Sequence, residues 1–273
     1  MFRPIASVTS WNDLQEKVRE FFEELGYQAT TNQPVKLANG GTAEVDVFAV
    51  KGASPLAQKI LFECKYWNSD VPRAIVQSFK MDVQEAGANF GIIVSKQGFQ
   101  SGSYQGILLT TVKLYSFEEL QRVFAVEWAE QILRPIFELQ LQVSYLARNF
   151  EFGTPERDYY ESTLFNDKLK ELHDDLWASI HFPLSLYKDY FKRDALASIP
   201  NVDMTFPLAL HDGKPRVASF NDVRSMAKSL KWHFEHALER WNNYQTVFSQ
   251  ELQAASLDQQ RAFFGLRPSG LQE

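Results

Sequence analysis

Two acids and a lysine, Asp46, Glu63 and Lys65, lie in two short stretches that read as neighbouring strands. In Ala43–Val50 and Ile60–Trp67 apolar residues alternate with polar ones, and a two-residue period sends successive side chains to opposite faces. The period predicts Glu44 and Asp46 on one face, with Val45 and Val47 on the other. It predicts Glu63 with Lys65, apart from Phe62, Cys64 and Tyr66. Carboxylates set among apolar strands cost several kcal/mol unless they are paired or bind a cation. A hard divalent cation with oxygen ligands meets that need, and Mg²⁺ is the usual one beside phosphates. Such a centre stabilises charge on a scissile phosphate and lowers the pKa of an attacking water. The lysine orients that water or balances the developing oxyanion. The chemistry these residue types allow is phosphodiester hydrolysis. Removing one of two buried like charges is expected to leave the metal-free fold at least as stable.

A Glu-x-Lys triplet alone carries little information, because both residues are common. The chain has two triplets of the form acid-x-Lys, Glu63-Cys64-Lys65 and Asp212-Gly213-Lys214. The second, with Asp203 upstream, sits between His211 and Pro215 in turn chemistry and reads as a surface turn. The first lies inside an apolar strand after a partner strand that bears an acid. His233 and His236 are spaced i, i+3 on a long helix without a third ligand, which reads as a surface pair. Cys64 faces away from Lys65 and reads as a packed thiol. Glu44 stays open between a partner of the site and a solvated strand residue.

The elements that must position these residues follow from periodicity and punctuation. Ser10 caps a helix from Trp11 to Leu25, with the stripe Trp11, Leu14, Val18, Phe21/Phe22 and Leu25, and Gly26 stops it. A strand spans Tyr27–Leu37, and Asn39-Gly40-Gly41 turns into the Asp46 strand. After the Glu63 strand, Ser69 or Asp70 starts a second helix with Pro72 in its first turn, running to Gly87. Phe90–Ser95 reads as a central strand and Thr110–Tyr115 as a further one. Ser116 then caps the helix that begins Phe117-Glu118-Glu119-Leu120. The order over the first 125 residues is α-β-β-β-α-β-α-β-α, an α/β unit around a mixed sheet. Beyond it the pattern is mainly helical. Pro135 interrupts one helical stretch and Gly153 ends the next, and a helix runs from Thr154-Pro155-Glu156 to about Ser179. Pro183–Leu196 is helical, and Pro200, Pro207 and Asp212-Gly213 mark an irregular or hairpin segment. A long helix runs from Asn221 to about Ala255. The expected domains are therefore 1–125 and a mainly helical 126–273.

At 273 residues, 45% hydrophobic and 23% charged, the composition is that of a folded protein. A single cysteine excludes an internal disulfide and a cysteine-rich zinc site. Met1–Ser10 lacks the apolar run of a signal peptide, and no stretch suits a bilayer span, so a cytoplasmic protein without a membrane partner is expected. The net charge of −6 is unevenly placed: residues 1–125 carry 12 Lys/Arg against 13 Asp/Glu, and residues 126–273 carry 16 against 21. Near-neutrality around a metal site is compatible with nucleic acid. The acidic second half reads instead as a regulatory or assembly domain, with a homodimer or a regulatory protein as its partner.

Three runs carry a specific resemblance: Ala43-Glu44-Val45-Asp46-Val47-Phe48, Leu61-Phe62-Glu63-Cys64-Lys65-Tyr66-Trp67, and Gly91-Ile92-Ile93-Val94-Ser95-Lys96-Gln97-Gly98-Phe99. Together, over residues 10–125, they resemble the catalytic domain of Mrr-type restriction endonucleases, within the PD-(D/E)xK nuclease superfamily. Tyr115-Ser116-Phe117-Glu118-Glu119-Leu120 resembles that family's closing strand-to-helix segment. The resemblance implies a restriction-endonuclease-like mixed sheet flanked by helices. It implies an endonuclease that cuts DNA with Mg²⁺, or Mn²⁺ in its place, in restriction or anti-phage defence. The alternatives are an RNA nuclease or an inactive nucleic-acid- or partner-binding module. It implies metal ligation by Asp46, Glu63 and the Cys64 carbonyl, with Lys65 as the catalytic lysine. Gln77 resembles a glutamine that these enzymes place beside the site. Arg73, Gln77 and Lys80 share a helix face, which is either solvated or in contact with phosphate, and Lys96 is similar. The resemblance departs at the first helix, where the family often carries an acid and this chain has Gln15 beside Glu16.

Overall fold

Ser10 does cap the first helix: its hydroxyl accepts from the Asp13 N–H at 3.1 Å, and α1 runs Trp11–Glu24. The computed structural model describes residue 5 and residues 7–151, 204–209, 215–220 and 222–254. After α1 come β1 (Gln28–Lys36), β2 (Thr42–Lys51), β3 (Gln58–Lys65), α2 (Arg73–Glu85), β4 (Phe90–Ser95), α3 (Ser101–Gly106), β5 (Val112–Ser116) and α4 (Phe117–Val123). This is the α-β-β-β-α-β-α-β-α order expected from the sequence. The five strands form one mixed sheet in the order β1-β2-β3-β4-β5, antiparallel as far as β3 and parallel from β3 to β5. The fold is α/β, a five-stranded mixed sheet flanked by helices. Ser116 caps α4 through a capping box with Glu119, which ties the last strand to its helix.

The two faces of the sheet are covered by different helices. On one, the Phe22 ring of α1 meets Phe62 of β3 edge-on at 4.5 Å, and also Tyr27 and Phe124. On the other, Leu61 of β3 packs with Val76, Phe79 and Val83 of α2 and with Ile93 of β4. Gly91 allows α2 to lie this close, because a Cβ there would overlap a Val83 methyl and press on the Phe79 ring. Helix α2 begins at Arg73, one residue past Pro72. The proline therefore serves as the N-cap and not as part of the first turn, since its fixed φ suits the extended cap conformation seen there.

The described residues fall into two compact units, one up to Ile132 and one from Leu133 onward. The second contains the C-terminal part of α5 (Ala125–Glu151), the hairpin β6 (Met204–Ala209) and β7 (Pro215–Phe220), and α6 (Val223–Ala254). Helix α5 continues through Pro135, where an interruption was expected. A proline removes one helical hydrogen bond, and burial of Leu133 and Ile136 on either side of it holds the helix together. Helix α6 starts at Val223, two residues after the expected Asn221, with Asp222 Oδ1 accepting from the Ser225 N–H at 2.8 Å. Val223, Met226, Ala227, Leu230 and Phe234 form its buried stripe. His233 is buried beside Phe234, so the histidine pair is not wholly on the surface. The segments expected as helices from Thr154 and Pro183, and the turn Asp212-Gly213-Lys214 with Asp203, lie outside the described residues.

Candidate active site

The ladder between β2 and β3 ends at the pair Val47–Phe62, and one further step along that register sets Asp46 opposite Glu63. Beyond this point the chain departs from plain alternation. Val45 and Phe48, an odd and an even position, both pack into the cluster beneath α2, so the two-residue period slips once between them. The slip coincides with a gap in the β1–β2 ladder. Thr31 pairs with Val47 and Gln33 with Val45, while Asn32 between them has a φ of +50° and pairs with nothing in the ladder. Val45 and Val47 therefore do not share one face as expected, and the change falls where the left-handed Asn32 interrupts the ladder opposite Asp46, with the register unchanged on either side.

The carboxylate of Asp46 is held at both oxygens. Its Oδ2 accepts from the Cys64 N–H at 2.6 Å and its Oδ1 from Gln15 Nε2 at 2.7 Å. The same Nε2 lies 3.5 Å from Asn32 Oδ1. Glu63 follows Leu61 on the opposite face, where it forms an ion pair with Lys65. Burial pushes the Glu63 carboxyl above its usual range. Its hydrogen bond to Lys65 pulls the other way, and the charges of Asp46 and Asp82 add to the upward push. Burial likewise pushes the Cys64 thiol well up, with Asp46 and Glu63 adding to it, so this sulfur is a packing group and no thiolate nucleophile.

A family model described as a restriction endonuclease, the Mrr catalytic domain, matches residues 6–124. Residues 6–124 are an Mrr-type restriction-endonuclease domain. No curated protein matches the chain. Solved structures with similarity include AF1548, a protein of unknown function (19% identity, 40% of this chain, 59% of that one, TM-score 0.33). They also include the DNA modification-dependent restriction endonuclease AspBHI (17% identity, 47% and 42%, TM-score 0.25). A third is the MspJI restriction endonuclease in complex with a 27-mer oligonucleotide (14% identity, 48% and 35%, TM-score 0.24). The chain spans 59% of the length of the first of these and less than half of the other two.

Within the Mrr-type domain the donor set fits a hard cation. Among the described residues no group of three or more His, Cys, Asp or Glu gathers to hold a metal ion. The site offers two carboxylates and the Cys64 carbonyl, all oxygen donors, as Mg²⁺ prefers. Trp11 Nε1 donates to that carbonyl at 3.0 Å, which occupies one of the two lone pairs a carbonyl oxygen carries. Trp11 and Trp67 are both substantially exposed, and Lys65 Nζ lies 5.3 Å from the centre of the Trp67 ring.

The remaining expected residues are spread more widely. The Gln77 amide reaches the Gly106 carbonyl of α3, at a long 3.5 Å, and a Cβ on Gly106 would collide with it. Arg73 lies along the same α3 flank, next to Gly102 and Gly106. Lys80 is half-buried on α2. Lys96 donates to Asn68 Oδ1 at 2.7 Å and sits 4.4 Å over the Tyr66 ring. A cavity of about 350 Å³ beside Tyr66 and Lys96 is lined by Ser95, Ser116 and Gln121 but not by Asp46 or Glu63. Glu44 is exposed, and Glu16 pairs with Arg19 on the surface of α1. The sequence reading placed Trp11 in the apolar stripe of α1, where it is instead largely exposed and donates to the Cys64 carbonyl. It had no account of Asn32 or Asp82, and left Gln15 open. For Gln15 a signal existed: positions 11, 15, 18, 22 and 25 lie on one helical stripe, and a polar residue on an apolar stripe needs a partner.

Proposed function

We propose that the Mrr-type domain is a divalent-metal-dependent endonuclease that hydrolyses phosphodiester bonds in DNA and serves in defence against foreign DNA. What supports this reading is that Asp46 lies one step past the end of the β2–β3 ladder and its charge is felt at Glu63, which pairs with Lys65. Asp46, Glu63 and the Cys64 carbonyl would hold Mg²⁺, or Mn²⁺ in its place. When bound, the cation polarises the scissile phosphate and makes an attacking water more acidic. The Cys64 N–H and Gln15 hold the Asp46 carboxylate in one orientation. Lys65 brings positive charge to the side of Glu63 where phosphate charge develops, and orients the water through Nζ. Arg73, Lys80 and Lys96 neutralise flanking phosphates, a contact that positions the strand without reading its sequence. Gln77 supports α2 against α3 behind them. The acidic region 126–273, a domain separate from 1–125, gates the nuclease or assembles it as a dimer, and the protein acts in the cytoplasm.

Cleavage of plasmid, linear duplex, single-stranded DNA and RNA in Mg²⁺, Mn²⁺ or EDTA tests the reading. DNA should be cut in either metal and left intact in EDTA. Cleavage of RNA alone would move the substrate to RNA. Binding without cleavage of any of the four would make the domain a non-cutting module.

A further inference from the structure

Gln15 is 3% exposed, on a helix stripe otherwise filled by apolar side chains. A glutamine so placed must spend its amide on protein partners, since an unmet buried polar group costs about 1–3 kcal/mol. Its Nε2 faces two acceptors, Asp46 Oδ1 at 2.7 Å and Asn32 Oδ1 at 3.5 Å, and a flipped amide would set oxygen against both. Asn32 holds a left-handed backbone conformation opposite Asp46, where the ladder skips a pair. Non-glycine residues rarely adopt this conformation, and such outliers cluster where a structure fixes a functional group. At this break in the ladder Gln15 and the Cys64 N–H hold the Asp46 carboxylate, one at each oxygen.

We infer that Gln15 is a positioning residue, which orients the Asp46 carboxylate for a divalent cation by donating to Oδ1, with Asn32 aligning its amide. This rests on the proposed function, and it assigns the first helix a neutral donor instead of a further acidic ligand. Hydrogen-bonded partners of metal-binding carboxylates typically change metal affinity by roughly 10–100-fold when removed. A purely structural glutamine would alter melting and leave affinity alone.

The test titrates Mn²⁺ alone into the full chain by calorimetry, for the wild type, Asp46→Ala, Gln15→Met and Gln15→Asn. Methionine keeps the volume and loses the donor; asparagine keeps the donor and loses the reach. Both Gln15 variants should bind Mn²⁺ roughly 10–100-fold more weakly than wild type. Their cleavage rate at limiting Mn²⁺ should fall in step and recover as Mn²⁺ saturates, while Asp46→Ala should bind none and never recover. Wild-type affinity in Gln15→Met overturns the inference and leaves the proposed function standing. Weakening in Gln15→Asn alone also overturns it, because lost packing would then be the cause. A wild-type protein that binds no Mn²⁺ overturns both together.

Discussion

Helices α1 and α2 cover opposite faces of the same sheet, and each carries a glutamine near its N-terminal end. Gln15 of α1 sits on the buried stripe and reaches Asp46 at 2.7 Å. Gln77 of α2 sits beside the buried stripe of Val76, Phe79 and Val83, and its amide reaches Gly106 of α3. Residue type is the same and both helices border the chemistry. What separates them is the angle around the helix axis: a polar side chain on the packed stripe meets the sheet, and one a hundred degrees away meets whatever flanks the helix. The α1 face therefore reports on the carboxylate pair through a hydrogen bond. The α2 face reports on it through packing and through the charge of Asp82.

The largest expected effect removes what α1 reports to. Asp46→Ala, Glu63→Ala and Lys65→Ala should each lower cleavage by about 10³-fold or more, the scale of losing a transition-state charge partner. Plasmid nicking at saturating Mg²⁺ measures it. Activity retained in folded Asp46→Ala would leave the Gln15 contact with nothing to serve, and the contrast between the helices would collapse. Stability sharpens the point. Charge alone suggests that losing Asp46 is harmless to the metal-free fold, yet its two accepted hydrogen bonds would leave the Cys64 N–H and the Gln15 amide unpaired. Asp46→Ala should therefore be destabilised by about 1–3 kcal/mol in urea melts without metal.

Much of this arrangement is legible in the sequence. The strand pattern is strong at Ala43–Val50 and Ile60–Trp67, and so is the order of elements up to α4. The pairing of Glu63 with Lys65, two residues apart on one strand, follows from it. The slip between Val45 and Phe48 is not legible, because it depends on a left-handed Asn32 in a different strand. Neither is the partner of Gln77, since nothing local to α2 says that Gly106 will lie there. Asp82 looks like any solvated helix acid until its charge is felt at Glu63. Pro135 misleads for a related reason, as tertiary burial of its neighbours outweighs a local helix breaker.

Two glycines on the α2 face separate rigid packing from adjustable packing. A methyl on Gly91 would meet Val83 and Phe79, both locked in the core, whereas one on Gly106 would collide with the end of the Gln77 side chain and merely touch Arg73. Gly91→Ala should cost about 1–3 kcal/mol, as overpacked cores do. Gly106→Ala should cost less and displace the Gln77 amide. Cleavage by Gly106→Ala and by Gln77→Ala should stay within about twofold of wild type, against the roughly 10–100-fold expected at Gln15 under limiting metal. A large loss in either variant would bring Gln77 back beside the reacting phosphate and erase the difference between the two glutamines.

The smallest effect is one of pH, and it asks whether the α2 face reaches the site through Asp82. Glu63 has its carboxyl raised above its usual value of 4.5, by burial first, against the pull of Lys65. The folded state therefore holds this proton more tightly than the unfolded chain does. Stability falls as pH rises from below the unfolded value through the folded one, so the cost is present on the alkaline side of that window. Glu63→Gln removes that cost, so the metal-free variant should be more stable than wild type near neutrality. The gap should close as the pH falls below the usual carboxylate range, where Glu63 is itself protonated in both states. Urea melts in EDTA across that range measure it, and a gap of equal size at both ends would mean that shape, not charge, sets the difference. Asp82→Asn should narrow the gap from the wild-type side, because one of the charges that raise Glu63 is gone. Added Mg²⁺ should reverse the order, stabilising the wild type and leaving Glu63→Gln behind, since the same carboxylate that burdens the empty site would be a ligand in the filled one.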